Sequence, residues 1–250
     1  MKRRINYIVV GTGRCGTLYM ARLLTSLGEL CTHEGVFTAG GIGTAVYRIE
    51  GGSQNLSSSP RSFEYETDWL TTPTSEIITN HSESSYMASP YLDHPILEES
   101  KVIHIVRHPI DVISSFCLDF GYFSSDGTNN IEEEHIYVSM PSLHGVSYGP
   151  SRASFYYRKW NEMIEEKCAL HKEKGNYLFH RIEDDIDEVV DFVGRKIAED
   201  MFADKKSNTR KHRTEKISLR DISQPYRSQL IEIADRYGYT FAHSNKPPIF

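Results

Sequence analysis

Residues 5–17 read INYIVVGTGRCGT, an apolar, β-branched run that passes directly into a glycine-rich turn. The run has the length and composition of a buried strand, and the glycines end it. Beyond the turn, Met20, Leu23, Leu24 and Leu27 fall at i, i+3, i+4 and i+7, one face of a helix, with Gly28 placed to stop it. Strand, turn and helix in succession are the opening unit of an α/β sheet.

The same order recurs downstream. KVIHIV (101–106) is a second buried strand that ends in Arg107, His108 and Pro109, and Pro109 suits the first position of a helix carrying Val112, Ile113 and Phe116. Shorter strands are predicted at 29–33, at SEIITN (75–80) and at NYLFHR (176–181). A long helix is predicted over 152–174, with Tyr156, Trp160, Met163, Ile164 and Lys167 along one face. Another carries Val189, Val190, Val193 and Ile197, and a last one runs from Pro225 to Gly238. Strands alternating with helices imply a three-layer α/β/α fold around a central, mostly parallel sheet, and 250 residues suit one domain of that kind. Residues 38–75, rich in Gly, Ser and Thr, and 119–150, rich in Gly, Ser, Asn and acids, read as loop insertions with little regular structure. In the second of these, Tyr122, Phe123, Tyr137 and Tyr148 receive no role.

Composition narrows the function. A net charge of −6 argues against a protein that coats nucleic acid or an anionic membrane, so any site for a polyanion must be local. No segment approaches the roughly 20 apolar residues needed to cross a bilayer, and the start MKRRINYIVVGTG is too short an apolar stretch for a secretion signal. Cys15, Cys31, Cys117 and Cys168 are widely spaced, which suits a reducing compartment, and a cytoplasmic location is the expectation. Oligomeric state has no sequence signal.

The turn GTGRCGT (11–17) opens a helix, so its backbone N–H groups and the helix N-terminus offer a seat for phosphate or sulfate. Three readings share that spacing. As GxGxxG it is a dinucleotide fingerprint, with Glu34 near the distance of a ribose-binding acid, as in an NAD(P)-binding oxidoreductase. As GxxxxG it resembles a nucleoside-triphosphate loop, but Thr17 stands where the Lys would be and Leu18 where a Ser or Thr would hold magnesium. The third reading explains Arg14: a fixed cation at the loop could neutralise charge building on a leaving phosphate.

Residues 106–116, VRHPIDVISSF, favour the third. Together with the first loop they resemble the sulfotransferases that use 3′-phosphoadenosine 5′-phosphosulfate (PAPS), whose 3′-phosphate motif has Arg at a strand end, then Pro and Asp, and Ser eight residues after the Arg. Arg107, Pro109, Asp111 and Ser115 match that order. The resemblance covers most of the chain outside 38–75 and 119–150, and it implies a P-loop-like fold and sulfuryl transfer to an unidentified small-molecule or carbohydrate acceptor without a metal. PAPS would be the co-substrate and 3′-phosphoadenosine 5′-phosphate the product.

By the resemblance, Gly13, Arg14, Cys15, Gly16, Thr17 and Leu18 form the 5′-phosphosulfate loop, while Arg107 and Ser115 hold the 3′-phosphate. Asp111 needs no chemistry, since an acid in a helix's first turn is favoured by the macrodipole. The basic run 205–220, with seven Lys or Arg against one Glu, supplies Arg210 and Lys211 as further 3′-phosphate ligands, although it lacks the family's usual RKGxxG pattern. For the base that takes the acceptor proton, Glu34 is the first choice and His81, after the predicted strand at 75–80, the competitor, with His33 and Glu83 behind them. A nucleotide-binding module that keeps the loops and lacks the base remains an alternative, as does the oxidoreductase.

Overall fold

The computed structural model of the protein describes residues 5–38, 40–50, 81–124, 131–195 and 216–241. Strands β1 (Ile5–Val10), β2 (Cys31–His33), β3 (His81–Ser84), β4 (Lys101–Val106) and β5 (Tyr177–Arg181) form an all-parallel sheet in the order β2-β3-β1-β4-β5. The side-chain period of two explains why β1 is apolar throughout. Tyr7 and Val9 enter one layer and Ile8 and Val10 the other, and β4 follows suit with Ile103 and Ile105 against Val102 and Val106.

Helices cover both faces. On the Val9 side, Met20 and Leu24 of α1 (Thr17–Ser26) pack with Val189 and Val193 from a later helix, Asp187–Val193. The chain between adds α2 (Gly41–Glu50), α3 (Pro109–Ser114), α4 (Ile131–Ser139), α5 (Pro150–Lys167) and α6 (Ala169–Glu173) before that helix, which is α7. On the Ile8 side lie Val112 and Ile113 of α3, Tyr156 and Trp160 of α5, and Leu230 of α8 (Tyr226–Arg236). The result is an α/β fold compatible with three α/β/α layers. No helix among the described residues is long and apolar enough to cross a membrane.

Strand order decides where a ligand can sit. The chain leaves β1 towards β2 on one side and leaves β4 towards β5 on the other, although β1 and β4 are neighbours paired from Tyr7–Lys101 to Val10–His104. Such a reversal opens a crevice outside the carboxyl ends of the two strands. Residues 11–16 and 107–108 leave the sheet at that crevice.

Several elements differ from the sequence reading. The strand predicted at 75–80 lies outside the described residues, and β3 begins at His81, so His81 is in a strand instead of after one. β3 reads HSES, polar throughout and buried throughout, because it is central and its side chains have partners. Ser82 Oγ accepts from the N–H of Tyr7 at 3.3 Å and Ser84 Oγ donates to the carbonyl of Thr17 at 2.7 Å. The helix predicted over 152–174 starts earlier, at Pro150, and breaks at Cys168, and Ile197 lies outside the described residues. The stretch 38–75, expected to have little regular structure, holds helix α2 at Gly41–Glu50, and its residues 51–75 lie outside the described residues. The stretch 119–150 holds α4 and a 3₁₀ turn over Pro141–Gly145, and Tyr122 and Phe123 are core residues, at 3% and 0% exposure. Tyr148 does stay exposed, and Tyr137 accepts a hydrogen bond from the buried Arg152.

Candidate functional site

The first loop is built from backbone that only certain residues tolerate. Gly13, Arg14 and Gly16 all have positive φ, at 72°, 54° and 107°. The two glycines carry this without a Cβ penalty, whereas Arg14 is a side chain held in a sparsely populated region, which is worth about 1–3 kcal/mol of strain. Gly11 has a different reason: a Cβ there would meet Cys15 Sγ at 2.4 Å and the carbonyl of Ile105 at 2.6 Å. Cys15 fills the space that Gly11 leaves. It is fully buried, and burial pushes its thiol up to about 11, so it stays protonated at neutral pH and serves packing.

Helix α5 fixes the loops from below. Trp160 donates its indole N–H to the carbonyl of Gly11 at 2.9 Å, and the Tyr156 hydroxyl donates to that of Thr12. Tyr157 donates to the carbonyl of Arg107 at 2.9 Å. Three neighbouring aromatic side chains of one helix thus position both loops by their backbones.

The two predicted anion motifs meet. A guanidinium N–H of Arg107 donates to the carbonyl of Arg14 at 3.4 Å, and Arg14 Nε donates to Ser115 Oγ at 3.3 Å. The Arg14 guanidinium lies 3.8 Å above the ring of Phe120, a cation–π contact that keeps the charge at the crevice while the residue stays exposed. Ser115 is not two turns inside a regular helix as the sequence suggests. Helix α3 ends at Ser114, and Ser115 opens a π-helical turn, Ser115–Asp119, in which its hydroxyl donates to Asp119 Oδ2 at 2.9 Å.

Asp111 occupies the first turn of α3 and pairs with Lys216 at 2.7 Å. Burial pushes its carboxyl up, but Lys216, Arg107 and His108 outweigh burial and hold it below its ordinary value. Arg210 and Lys211 lie outside the described residues. Leu18 is half-buried in the first turn of α1.

Candidate bases separate by depth. Glu34 follows β2 with φ 56°, its N–H donating to the carbonyl of Ser84 at 3.2 Å, and its carboxylate lies 3.8 Å from His33 Nε2 with the side chain 24% exposed. His33 Nε2 is also 3.0 Å from the hydroxyl of Thr17, the first residue of α1. Burial pulls the His33 imidazole down to about 4, Glu83 opposes that, and Arg14 and Arg22 reinforce it. The ring is therefore neutral, and it links the end of β2 to the first loop.

His81 sits elsewhere. It pairs with Ile5 at the amino end of the sheet, is 3% exposed, and its Nε2 lies 2.8 Å from Thr32 Oγ1. Thr32 gives its own proton to Glu83, so His81 Nε2–H is the donor in that contact. Glu83 is fully buried and also accepts the N–H groups of Val36 at 3.1 Å and Phe37 at 3.3 Å. Glu83 thus braces the loop after β2, and His81 bonds the Thr32 hydroxyl that also reaches Glu83.

Asp119, Phe120, Tyr156, Tyr157 and Trp160 were not singled out as site residues by sequence reasoning. On helix α5 the aromatic residues read as ordinary core, and nothing local marks their hydroxyl and indole groups as loop anchors. Comparison of the sequence with known proteins finds no matching family model and no matching curated relative.

Proposed function

We propose that the protein is a PAPS-dependent sulfotransferase of P-loop-like fold, transferring a sulfuryl group to a hydroxyl or amine of a small-molecule or carbohydrate acceptor. The observation that carries this reading is the convergence of Arg14, Arg107 and Ser115, from motifs about ninety residues apart, at the crevice where strand order reverses. Two cationic anchors at one crevice suit a ligand with anionic groups at both ends.

In this mechanism the N–H groups of residues 13–17 and the Arg14 guanidinium receive the 5′-phosphosulfate. Arg107 and Ser115 receive the 3′-phosphate. Glu34 takes the acceptor proton as its oxygen or nitrogen attacks sulfur, while the sulfur–oxygen bond to the 5′-phosphate breaks in line and Arg14 stabilises the charge left on that phosphate. His33, neutral and bonded to Thr17, keeps the base and the loop in register.

The oxidoreductase alternative is weaker on topology. In the dinucleotide fold the ribose-binding acid ends the strand beside β1, whereas here β3 lies between β1 and the strand that precedes Glu34. Titration calorimetry with 3′,5′-ADP and 5′-AMP tests the nucleotide reading. Preference for 3′,5′-ADP by about tenfold or more is expected, and equal affinity removes the 3′-phosphate assignment. Radiolabelled transfer from PAPS to an acceptor panel then separates an enzyme from a binding module.

A further inference from the structure

Ser115 already holds an anion of the protein's own, Asp119. Ser115 is 3% exposed, and its hydroxyl makes two contacts within the crevice, accepting from Arg14 Nε at 3.3 Å and donating to Asp119 Oδ2 at 2.9 Å. The pair spans the π-helical turn Ser115–Asp119, which begins where α3 stops. Single π turns of this kind recur at functional sites because they re-aim side chains. The next residue, Phe120, lies under the Arg14 guanidinium at 3.8 Å, so one short segment supplies both a carboxylate and an aromatic face to the same cation–hydroxyl pair.

We infer that Asp119 is a resident counter-anion that a 3′-phosphate must displace from Ser115, and that it thereby sets how tightly the site holds bisphosphorylated nucleotides. The inference rests on the proposed nucleotide reading. A serine hydroxyl has one proton to give. With Asp119 as its acceptor, that proton is spent, and a phosphate arriving at Ser115 both breaks the bond and meets a like charge across a few ångströms. Removing the charge while keeping the shape relieves the repulsion and leaves the hydroxyl in a weaker, neutral bond that a phosphate displaces more easily. The consequence for turnover is that Asp119 returns to Ser115 as the bisphosphorylated product leaves, which favours release.

The test is calorimetry on wild type, Asp119→Asn, Arg107→Ala, Ser115→Ala and the double variant Ser115→Ala with Asp119→Asn, using 3′,5′-ADP and 5′-AMP as probes. Asp119→Asn is expected to tighten 3′,5′-ADP by about five- to tenfold, with a much smaller change for 5′-AMP, which has no 3′-phosphate. In the Ser115→Ala background the gain should shrink, because the hydroxyl through which the acid competes is gone. Thermal melting of each variant checks that all are folded. If Arg107→Ala weakens 3′,5′-ADP but Asp119→Asn leaves it unchanged or weaker, the counter-anion role is wrong and the nucleotide site stands. If wild type binds 3′,5′-ADP no better than 5′-AMP, both the site and the role fall.

Discussion

Trp160 donates its indole N–H to the carbonyl of Gly11 at 2.9 Å, across 149 residues of sequence. Both groups are buried, so the carbonyl that opens the phosphate-type loop depends on a helix far along the chain for its main partner. The Ser89 hydroxyl, at 3.5 Å, is a distant second. Trp160→Phe keeps most of the packing and deletes the donor. Unfolding in urea should show a loss of about 1–3 kcal/mol, the cost of a buried acceptor left poorly paired. An unchanged midpoint would mean that the loop does not rely on α5.

The loop glycines should fail in a definite order. An alanine at Gly16 meets Ile182 Cγ1 at 2.9 Å and sits at φ 107°, but the Ile182 side chain can rotate away. At Gly11 the obstacle includes the Ile105 carbonyl at 2.6 Å, which is β4 backbone and cannot move without disturbing the sheet. Gly16→Ala is expected to remain folded with a loss of about 1–3 kcal/mol. Gly11→Ala should lose more, and thermal melts of the two compared side by side decide it.

Arg107→Ala separates a phosphate ligand from a structural arginine. The guanidinium contributes one 3.4 Å bond to the Arg14 carbonyl, a weak fold contact, so stability should change little. On the proposed reading its affinity role is larger. Loss of a charge-assisted bond to phosphate, about 2 kcal/mol, corresponds to roughly 30-fold weaker 3′,5′-ADP binding with 5′-AMP nearly unaffected. Equal losses for both nucleotides would place Arg107 outside the 3′-phosphate pocket.

Local grammar made the first and fourth strands readable: INYIVV and KVIHIV are apolar because both faces of each strand are buried, and Gly11 and Pro109 punctuate them. The loop residues 11–17 and Arg107 were readable for the same reason, since strand ends and helix starts locate them. β3 was not, because HSES is buried through hydrogen bonds to Tyr7, Thr17 and Thr32 that no periodicity announces. Helix α4 escaped notice because its inward positions include Glu133 and His135 along with Ile136, and its polar pattern resembles a loop. Ser115 was named, but its partner Asp119 was not, because an acid four residues on reads as an ordinary surface residue of a helix face.

Stability should depend on pH in a window set by buried histidines. Burial holds His104 down at about 4 in spite of its bond to Asn161, and burial holds His33 at about 4 as well. His135 and His180 are lowered by burial in the same direction. Between pH 6.5 and 4 the unfolded chain takes up protons at His33 and His104 that the native chain refuses. Stability is therefore fully present above about 6.5 and falls as pH drops, by up to about 1.4 kcal/mol per pH unit for each group, and the loss levels off below 4. His33, being partly exposed, should contribute the smaller share. Urea midpoints at pH 7, 5.5 and 4.5 should fall progressively for wild type and less steeply for His104→Gln. A flat profile across that range would contradict neutral, buried imidazoles.

Glu34 and His81 make opposite predictions because the sheet separates them. Glu34 is at the carboxyl end, partly exposed, 3.8 Å from an imidazole that also touches the first loop. On the proposed mechanism Glu34→Gln removes the proton acceptor and keeps the shape, so transfer from PAPS should fall by about 10²–10⁴ while 3′,5′-ADP affinity holds. His81 lies at the amino end as the donor to Thr32, beside a buried Glu83. His81→Ala strips that cluster of a partner and opens a cavity, and about 2 kcal/mol of stability should go with it, leaving transfer per folded molecule largely intact. Both variants belong in one experiment, with melting curves, nucleotide titrations and radiolabelled transfer measured on the same preparations. Full transfer in Glu34→Gln, or a stable His81→Ala protein that binds nucleotide and transfers nothing, would reverse the assignment of the base.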